Sequence, residues 1–274
     1  MPNEDLRNPD THFAFGKNWA SFSENINEDR IQASIDELNR LLGGTGLAGC
    51  RFLDIGCGSG LHAVAAIRLG ATDVYCVDID ADSVATTRET LARLAPGAAA
   101  TIRQKSVFDL DAAEAGLFDV VYSWGVLHHT GDMFNAIDRA TRLVKPGGRF
   151  AVALYRKTWL CPLWTMEKRW YVKAAPAAQQ RMFDLYVGFM KLRARIRGRD
   201  FEAFKRDFWH KRGMSYEHDV RDWIGGYPYE SISPRALIRF LGERGFELER
   251  GFYKKRRKIG LLGSGNDQFV FRRN

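Results

Sequence analysis

A chain of 274 residues that is 45% hydrophobic and 12% aromatic can bury a sizeable core, which sets aside a disordered or low-complexity protein. It has no run of 18 apolar residues, so no membrane-spanning helix is expected, and Met1-Pro2-Asn3-Glu4-Asp5 lacks the basic-then-apolar order of a secretion signal. The net charge of +8 is uneven: residues 1–150 hold 14 Lys+Arg against 20 Asp+Glu and residues 151–274 hold 27 against 13, so the second part either faces an acidic partner or carries solvated basic helices.

Residues 1–26 are polar around an aromatic island, Phe13-Ala14-Phe15-Gly16-Lys17-Asn18-Trp19. From Asn27 to Leu42 the residues Ile31, Ile35, Leu38 and Leu42 recur at helical spacing, and Gly43-Gly44 stops the helix. A strand–helix alternation follows. Strand 51–55 leads to helix 60–69 and strand 73–78 to helix 81–94. Strand 99–104 comes next, and strand 118–123 leads to helix 132–143. Lys145-Pro146-Gly147-Gly148 reads as a turn before strand 149–155. Such alternation implies right-handed crossovers and a doubly wound, mostly parallel α/β sheet that binds its ligand at the carboxyl ends of the strands.

The pattern breaks after Tyr155. Residues 158–212 read as helical and 213–232 as loop. Ser233 caps a helix 234–243 that begins at Pro234, and strands 246–254 and 267–272 flank a glycine-rich loop from Gly260 to Gly265. The expected organisation is a cap segment and helix (1–44), a ligand-binding core (45–157), a helical and loop insertion over the ligand end as a lid (158–232), and a last helix and hairpin completing the sheet (233–274).

The stretch Asp54-Ile55-Gly56-Cys57-Gly58-Ser59-Gly60 ends the first strand with alternate glycines, which admit positive φ and close approach of a ligand. The helix after it is expected to offer free N–H groups. A dinucleotide fingerprint would place its third glycine at position 61, which is Leu61, and a P-loop would need a lysine that is absent. Asp54 would repel a pyrophosphate but suits a ligand carrying an ammonium group, as S-adenosylmethionine does. Asp78 ends the second strand 22 residues after Gly56, where a carboxylate can accept from both ribose hydroxyls, and Ile79 can lie against an adenine. Alternatively Asp78 caps the next helix, a role equally open to Asp80.

Four stretches, Asp54 to Gly60, Val77-Asp78-Ile79-Asp80, Phe118 to His129 and Lys145-Pro146-Gly147-Gly148, resemble the successive motifs of class I S-adenosylmethionine-dependent methyltransferases over roughly residues 45–155. The chain is most similar to the ubiquinone/menaquinone-methylase-like branch. Within it, the chain resembles bacterial members that carry the segments found here as Phe15-Gly16-Lys17-Asn18-Trp19 and Asp222-Trp223-Ile224-Gly225-Gly226-Tyr227-Pro228-Tyr229-Glu230. The resemblance implies a Rossmann-like seven-stranded sheet whose last strand is antiparallel. Residue by residue, it implies that the backbone of Gly56 and Cys57, with Asp54 through water, holds the methionine amino group in the turn completed by Gly58 and Gly60. Asp78 would take the ribose, Ser106 and Val107 would meet the adenine, and Ser123 and Trp124 would line the methionine arm. Many relatives place an aspartate where Ser106 stands, so its bond to the adenine amino group lacks charge assistance. Trp19 either packs the N-terminal segment onto the domain or closes the pocket near the sulfonium, with Lys17 near the carboxylate.

Methyl transfer is an in-line displacement that depends on positioning, and a hydroxyl acceptor is helped by a general base. His128 and His129, on the loop after the fourth strand, either brace that loop or touch the acceptor, as histidines there do in some similar small-molecule methyltransferases. Residues 213–230 pack one histidine, four carboxylates, three tyrosines and a tryptophan into 18 positions without clear periodicity. His218 is read there as the base, oriented by Asp219 or Asp222; otherwise the segment is a packed connector whose acids cap helices. Six histidines without ligand spacing, and Cys50, Cys57, Cys76 and Cys161 without a CxxC, point to no metal and to reduced cytoplasmic thiols. Lys191 to Arg199 reads as a solvated helix end. Lys254-Lys255-Arg256-Arg257-Lys258 reads as a basic rim on the cofactor side, fit to attract an anionic acceptor.

The reading is an S-adenosylmethionine-dependent methyltransferase, releasing S-adenosylhomocysteine, that O-methylates a small molecule or a glycan. The rivals are an RNA or protein methyltransferase using the basic part and an inactive cofactor-binding regulator. No Asn-Pro-Pro-Tyr-type motif follows the fourth strand and no aromatic-rich RNA module is present, which weighs against nucleic acid. The oligomeric state is not legible.

Overall fold

The computed structural model describes residues 26–212, 216–254, 259–261 and 263–274. Apolar runs become β1 (Arg51–Ile55), β2 (Asp73–Asp78), β3 (Ala100–Gln104), β4 (Phe118–Trp124) and β5 (Val144–Tyr155), and the C-terminal hairpin adds β6 (Phe246–Phe252) and β7 (Asn266–Arg273). They form one seven-stranded sheet in the order β3-β2-β1-β4-β5-β7-β6. Neighbours among β1–β5 pair in parallel, and β7 runs antiparallel to both β5 and β6. The Rossmann-like architecture with an antiparallel last strand is thus present, with β7 inside the sheet and β6 at its edge.

Side chains alternate between two apolar layers, as a pleated strand requires. Leu53, Ile55, Val121 and Phe150 join a cluster with Ile137 and Leu237 from the helices Met133–Arg142 and Pro234–Gly242. Phe52, Val120 and Tyr122 join another with Ile31, Leu38 and Val64 from the helices Glu28–Leu42 and Leu61–Arg68. Asn27, Asp80 and Ser233 accept N–H bonds at helix starts, as their residue types favour. Strand order reverses between β1 and β4, which opens a crevice at the carboxyl ends of those strands.

Two expectations are corrected. Lys145-Pro146-Gly147-Gly148 lies inside β5, because the pairing with β4 jumps from Phe118–Val144 to Val120–Arg149 and the four residues bulge from the ladder. Gly148 fits there because a Cβ would sit 2.9 Å from the Lys145 carbonyl and 3.0 Å from that of Asp119. Residues 216–225 are helical rather than loop (213–215 lie outside the described residues). The helix Tyr216–Gly225 places Tyr216, Val220 and Ile224 on one face, where they pack with Tyr171 and Phe183 into a small core of their own. The helices Cys161–Lys173 and Pro176–Ile196 build the rest of that core, and Phe201–Arg212 packs beside them. The chain leaves the sheet and returns at one point, since Ile232 N–H donates to Tyr155 and Lys157 N–H donates to Ile232, both at 3.0 Å.

Candidate active site

The pleat that sends Leu53 and Ile55 into the core turns Asp54 the other way. It is only 2% exposed, and its Oδ2 is buried without a hydrogen-bond partner. Burial pushes the carboxyl up to about 7, the charge of Asp78 adding to the effect. A buried acceptor without a donor complements a ligand that brings N–H groups.

The glycine turn has fewer N–H groups to give than its sequence leads one to expect. Gly56 and Cys57 N–H donate to the Val77 carbonyl (2.8 and 3.1 Å), Gly58 N–H to Asp78 Oδ2 (3.0 Å) and Gly60 N–H to the Cys57 carbonyl (2.8 Å). These four donors are engaged within the protein. The unpartnered acceptor beside them is Asp54 Oδ2, which is what an ammonium group needs. Gly56 is required twice over: φ is +78°, and a Cβ would lie 2.3 Å from a Val126 methyl.

Asp78 ends β2 with Oδ1 accepting Asp80 N–H and Oδ2 accepting Gly58 N–H, each at 3.0 Å, which leaves further lone pairs for hydroxyl donors. Burial raises it to about 6. Helix capping falls to Asp80, which accepts from Ser83 N–H at 2.9 Å. Ile79 is 38% exposed beside it. Ser106 caps the short turn Val107–Asp109 through Phe108 N–H (3.3 Å), and the Val107 side chain points into the core. Ser123 is fully buried and its hydroxyl donates to the Ile55 carbonyl (3.0 Å), pinning β4 to β1. Trp124 stacks on His62 at 6.3 Å with its Nε1 buried and unpartnered. Trp19 and Lys17 lie outside the described residues.

Past β4 the turn Leu127–His129 carries both histidines. His128 is 1% exposed, and its Nδ1 accepts Tyr155 N–H at 3.3 Å, which assigns its proton to Nε2, buried without a partner. Burial first, then His129 and Lys168, keep it neutral. His129 Nδ1 lies 2.7 Å from the Pro228 carbonyl and so carries the proton, leaving the lone pair on Nε2. A Cβ at Gly226 would meet the His129 ring at 2.7 Å. Glu230 N–H donates to the His128 carbonyl (3.0 Å), and Glu230 Oε2 accepts Met133 N–H (2.9 Å), capping the helix Met133–Arg142. The loop of His128 and His129 is thus joined to the Gly226–Glu230 end of the second candidate segment, about 100 residues on in the chain.

Aromatic rings enclose it. The Tyr155 ring lies 3.8 Å from that of His128, 5.2 Å from that of Tyr229 and 5.5 Å from that of Trp223, with Trp164 beyond. Lys168 is fully buried under them. Its ammonium donates to the Trp223 carbonyl and sits 3.9 Å over the indole, and burial pushes its pKa down. Neither Tyr155 nor Lys168 stands out in the sequence, since Lys168 falls in the long stretch 158–212 that reads only as helical. The available signal was spacing: Cys161, Trp164, Lys168 and Tyr171 share one helix face. His218 lies in the helix Tyr216–Gly225 with its side chain outside the described residues, and Asp219 and Asp222 are half-buried on the same helix. Lys254 is exposed just past the carboxyl end of β6, and Lys255 to Lys258 lie outside the described residues. Among the described residues no side-chain group is arranged to hold a metal, and no helix is long and apolar enough to cross a membrane. All four cysteines are free thiols.

Residues 53–152 match the family model of a methyltransferase domain. This is a class I, S-adenosylmethionine-dependent methyltransferase domain. Its sequence is 38% identical over 111 residues to a ubiquinone biosynthesis O-methyltransferase of Xanthomonas axonopodis pv. citri, covering 40% of this chain and 45% of that one. It is 35% identical over 113 residues to the Nitrobacter winogradskyi protein described in the same words, covering 41% of each. The chain thus spans less than half the length of these relatives. Among solved structures, PKMT2 from Rickettsia typhi in complex with AdoHcy superposes with a TM-score of 0.59 at 14% identity, over 88% of this chain and 53% of that one. Magnesium protoporphyrin IX methyltransferase from Synechocystis PCC 6803, with bound S-adenosylhomocysteine, gives 0.53 at 17%, over 92% and 86%. At such identities these two establish the fold of the methyltransferase domain.

Proposed function

We propose that the chain binds S-adenosylmethionine over the carboxyl ends of β1, β2 and β4 and methylates a hydroxyl oxygen of a small molecule or glycan lodged beneath the helical insertion. The buried, donorless Oδ2 of Asp54 beside Asp78 carries this reading, because it fits the cofactor's ammonium group. Asp78 would hold the ribose hydroxyls, Ile79, Ser106 and the Val107 backbone would border the adenine, and Trp124 the methionine arm. O-methylation is supported by the described activity of the relatives, matched over 111 and 113 residues. When bound, the cofactor supplies a methyl carbon made electrophilic by its sulfonium.

The residues of the chain then position the acceptor and take its proton. His129, fixed by Pro228, presents Nε2 as the base that removes the hydroxyl proton as oxygen attacks. His128, neutral and protonated on Nε2, donates toward the acceptor, while Tyr155, Trp223 and Tyr229 keep water out. His218 with Asp222 is the second candidate base. The residues 158–232 act as the lid, the basic rim after β6 draws an anionic acceptor, and the free thiols fit a cytoplasmic setting.

Calorimetry with S-adenosylhomocysteine tests the cofactor site: the wild type binds and Asp78→Ala loses roughly tenfold or more, whereas a wild type that does not bind overturns the reading. With an acceptor in hand, His129→Gln lowers kcat by about 10²–10⁴-fold without changing cofactor affinity.

A further inference from the structure

Two helices of the insertion are apolar on both sides. The helix Cys161–Lys173 turns Cys161, Lys168 and Tyr171 inward. On its opposite face Leu163, Met166 and Trp170, spaced i, i+3, i+7, are 53–70% exposed. The helix Pro176–Ile196 repeats the arrangement. Phe183 is buried with Met182, Tyr186 and Val187 packed beside it, and opposite them Leu185, Phe189, Leu192 and Ile196, spaced i, i+4, i+7, i+11, are 49–77% exposed. A helix of an ordinary globular protein has one apolar stripe, toward the core. Here a second stripe faces outward on both helices, and apolar surface in contiguous stripes marks an interaction site.

The charge around the stripes says what they meet. Residues 157–199 hold ten Lys+Arg against two acids, Glu167 and Asp184. Arg169 and Lys173 are exposed beside the first stripe, and Arg181, Lys191 and Arg195 beside the second. An apolar face with tryptophan at its border and a margin of cations is the composition of a helix lying in the interface of an anionic bilayer. A second copy of the chain is disfavoured, because a two-fold contact would set these cations against themselves. We propose that the outer faces of Cys161–Lys173 and Pro176–Ile196 dock the protein onto the surface of an anionic phospholipid bilayer. The inference does not depend on methyl transfer.

Flotation of the full chain with vesicles tests it. Binding to phosphatidylcholine vesicles containing phosphatidylglycerol exceeds binding to phosphatidylcholine alone by roughly tenfold and falls with added salt. Leu185→Ser with Leu192→Ser, and separately Arg181→Glu with Arg195→Glu, each reduce it by roughly tenfold, while circular dichroism and S-adenosylhomocysteine affinity stay at wild-type values. Equal binding to both vesicles or none to either overturns the proposal. So does a dimer in light scattering that the serine substitutions dissociate.

Discussion

Asp54 and Asp78 keep their protons to higher pH in the fold than in an unfolded chain, where a carboxyl of this kind titrates near 3.8. The folded chain therefore binds these protons more tightly, and each site costs stability as pH rises from 3.8 toward about 7 for Asp54 and about 6 for Asp78. An ammonium group placed at Asp54 reverses the balance by favouring the carboxylate. Affinity for S-adenosylhomocysteine is expected to climb as pH rises through about 7, with release of a proton on binding, and Asp54→Asn flattens the climb. Calorimetry in two buffers of unlike ionisation enthalpy counts the proton. Gly56 gives a second prediction at this scale. Gly56→Ala meets both the +78° backbone and the Val126 methyls, for a loss of about 2–4 kcal/mol. Val126→Ala in the same chain recovers the crowding part and leaves the backbone part, a double-mutant cycle readable in thermal melts.

Individual elements were legible where burial follows one simple pattern, a single face for a helix or both faces for a central strand. Helices around Ile31, Leu38, Val84 and Ile137 announce themselves by spacing, and strands such as Phe52–Ile55 by their apolar run. The helix Tyr216–Gly225 did not. Its three apolar contacts at Tyr216, Val220 and Ile224 are diluted by charged residues that face solvent or neighbouring helices. The bulge in β5 was hidden for the opposite reason: Pro-Gly-Gly signals a turn, and only the register with β4 shows the strand carrying on through it. At the site, the corner formed by Asp54, the glycines and Asp78 was readable because it is local to two strand ends. The union of His128-His129 with Trp223, Pro228 and Tyr229 was not, because it depends on how the insertion folds back at Ile232. Ile224→Ala tests whether the insertion is a separate energetic unit. It should cost about 2–4 kcal/mol within the small core, seen as faster hydrogen exchange across Cys161–Gly225 with no change in cofactor affinity.

Across the whole molecule, the core and the insertion divide the labour and the charge. The acidic first part supplies Asp54 and Asp78, and the basic second part supplies Tyr155, Trp223 and Tyr229 around His128 and the outward stripes. The sheet joins them through β5, whose carboxyl end hands the chain to the insertion and whose edge is covered by β7. Deleting Asn266–Arg273 is therefore expected to abolish a native fold rather than trim it, checked by loss of the cooperative thermal transition. Because β7 lies between β5 and β6, the order of synthesis and the order of assembly differ. Strand β6 is made first, yet within the sheet it pairs only with β7. While a nascent chain waits for β7, both β5 and β6 present bare backbone edges of the kind that aggregates. Closure of the sheet thus waits for β7, and two open edges coexist until that strand arrives.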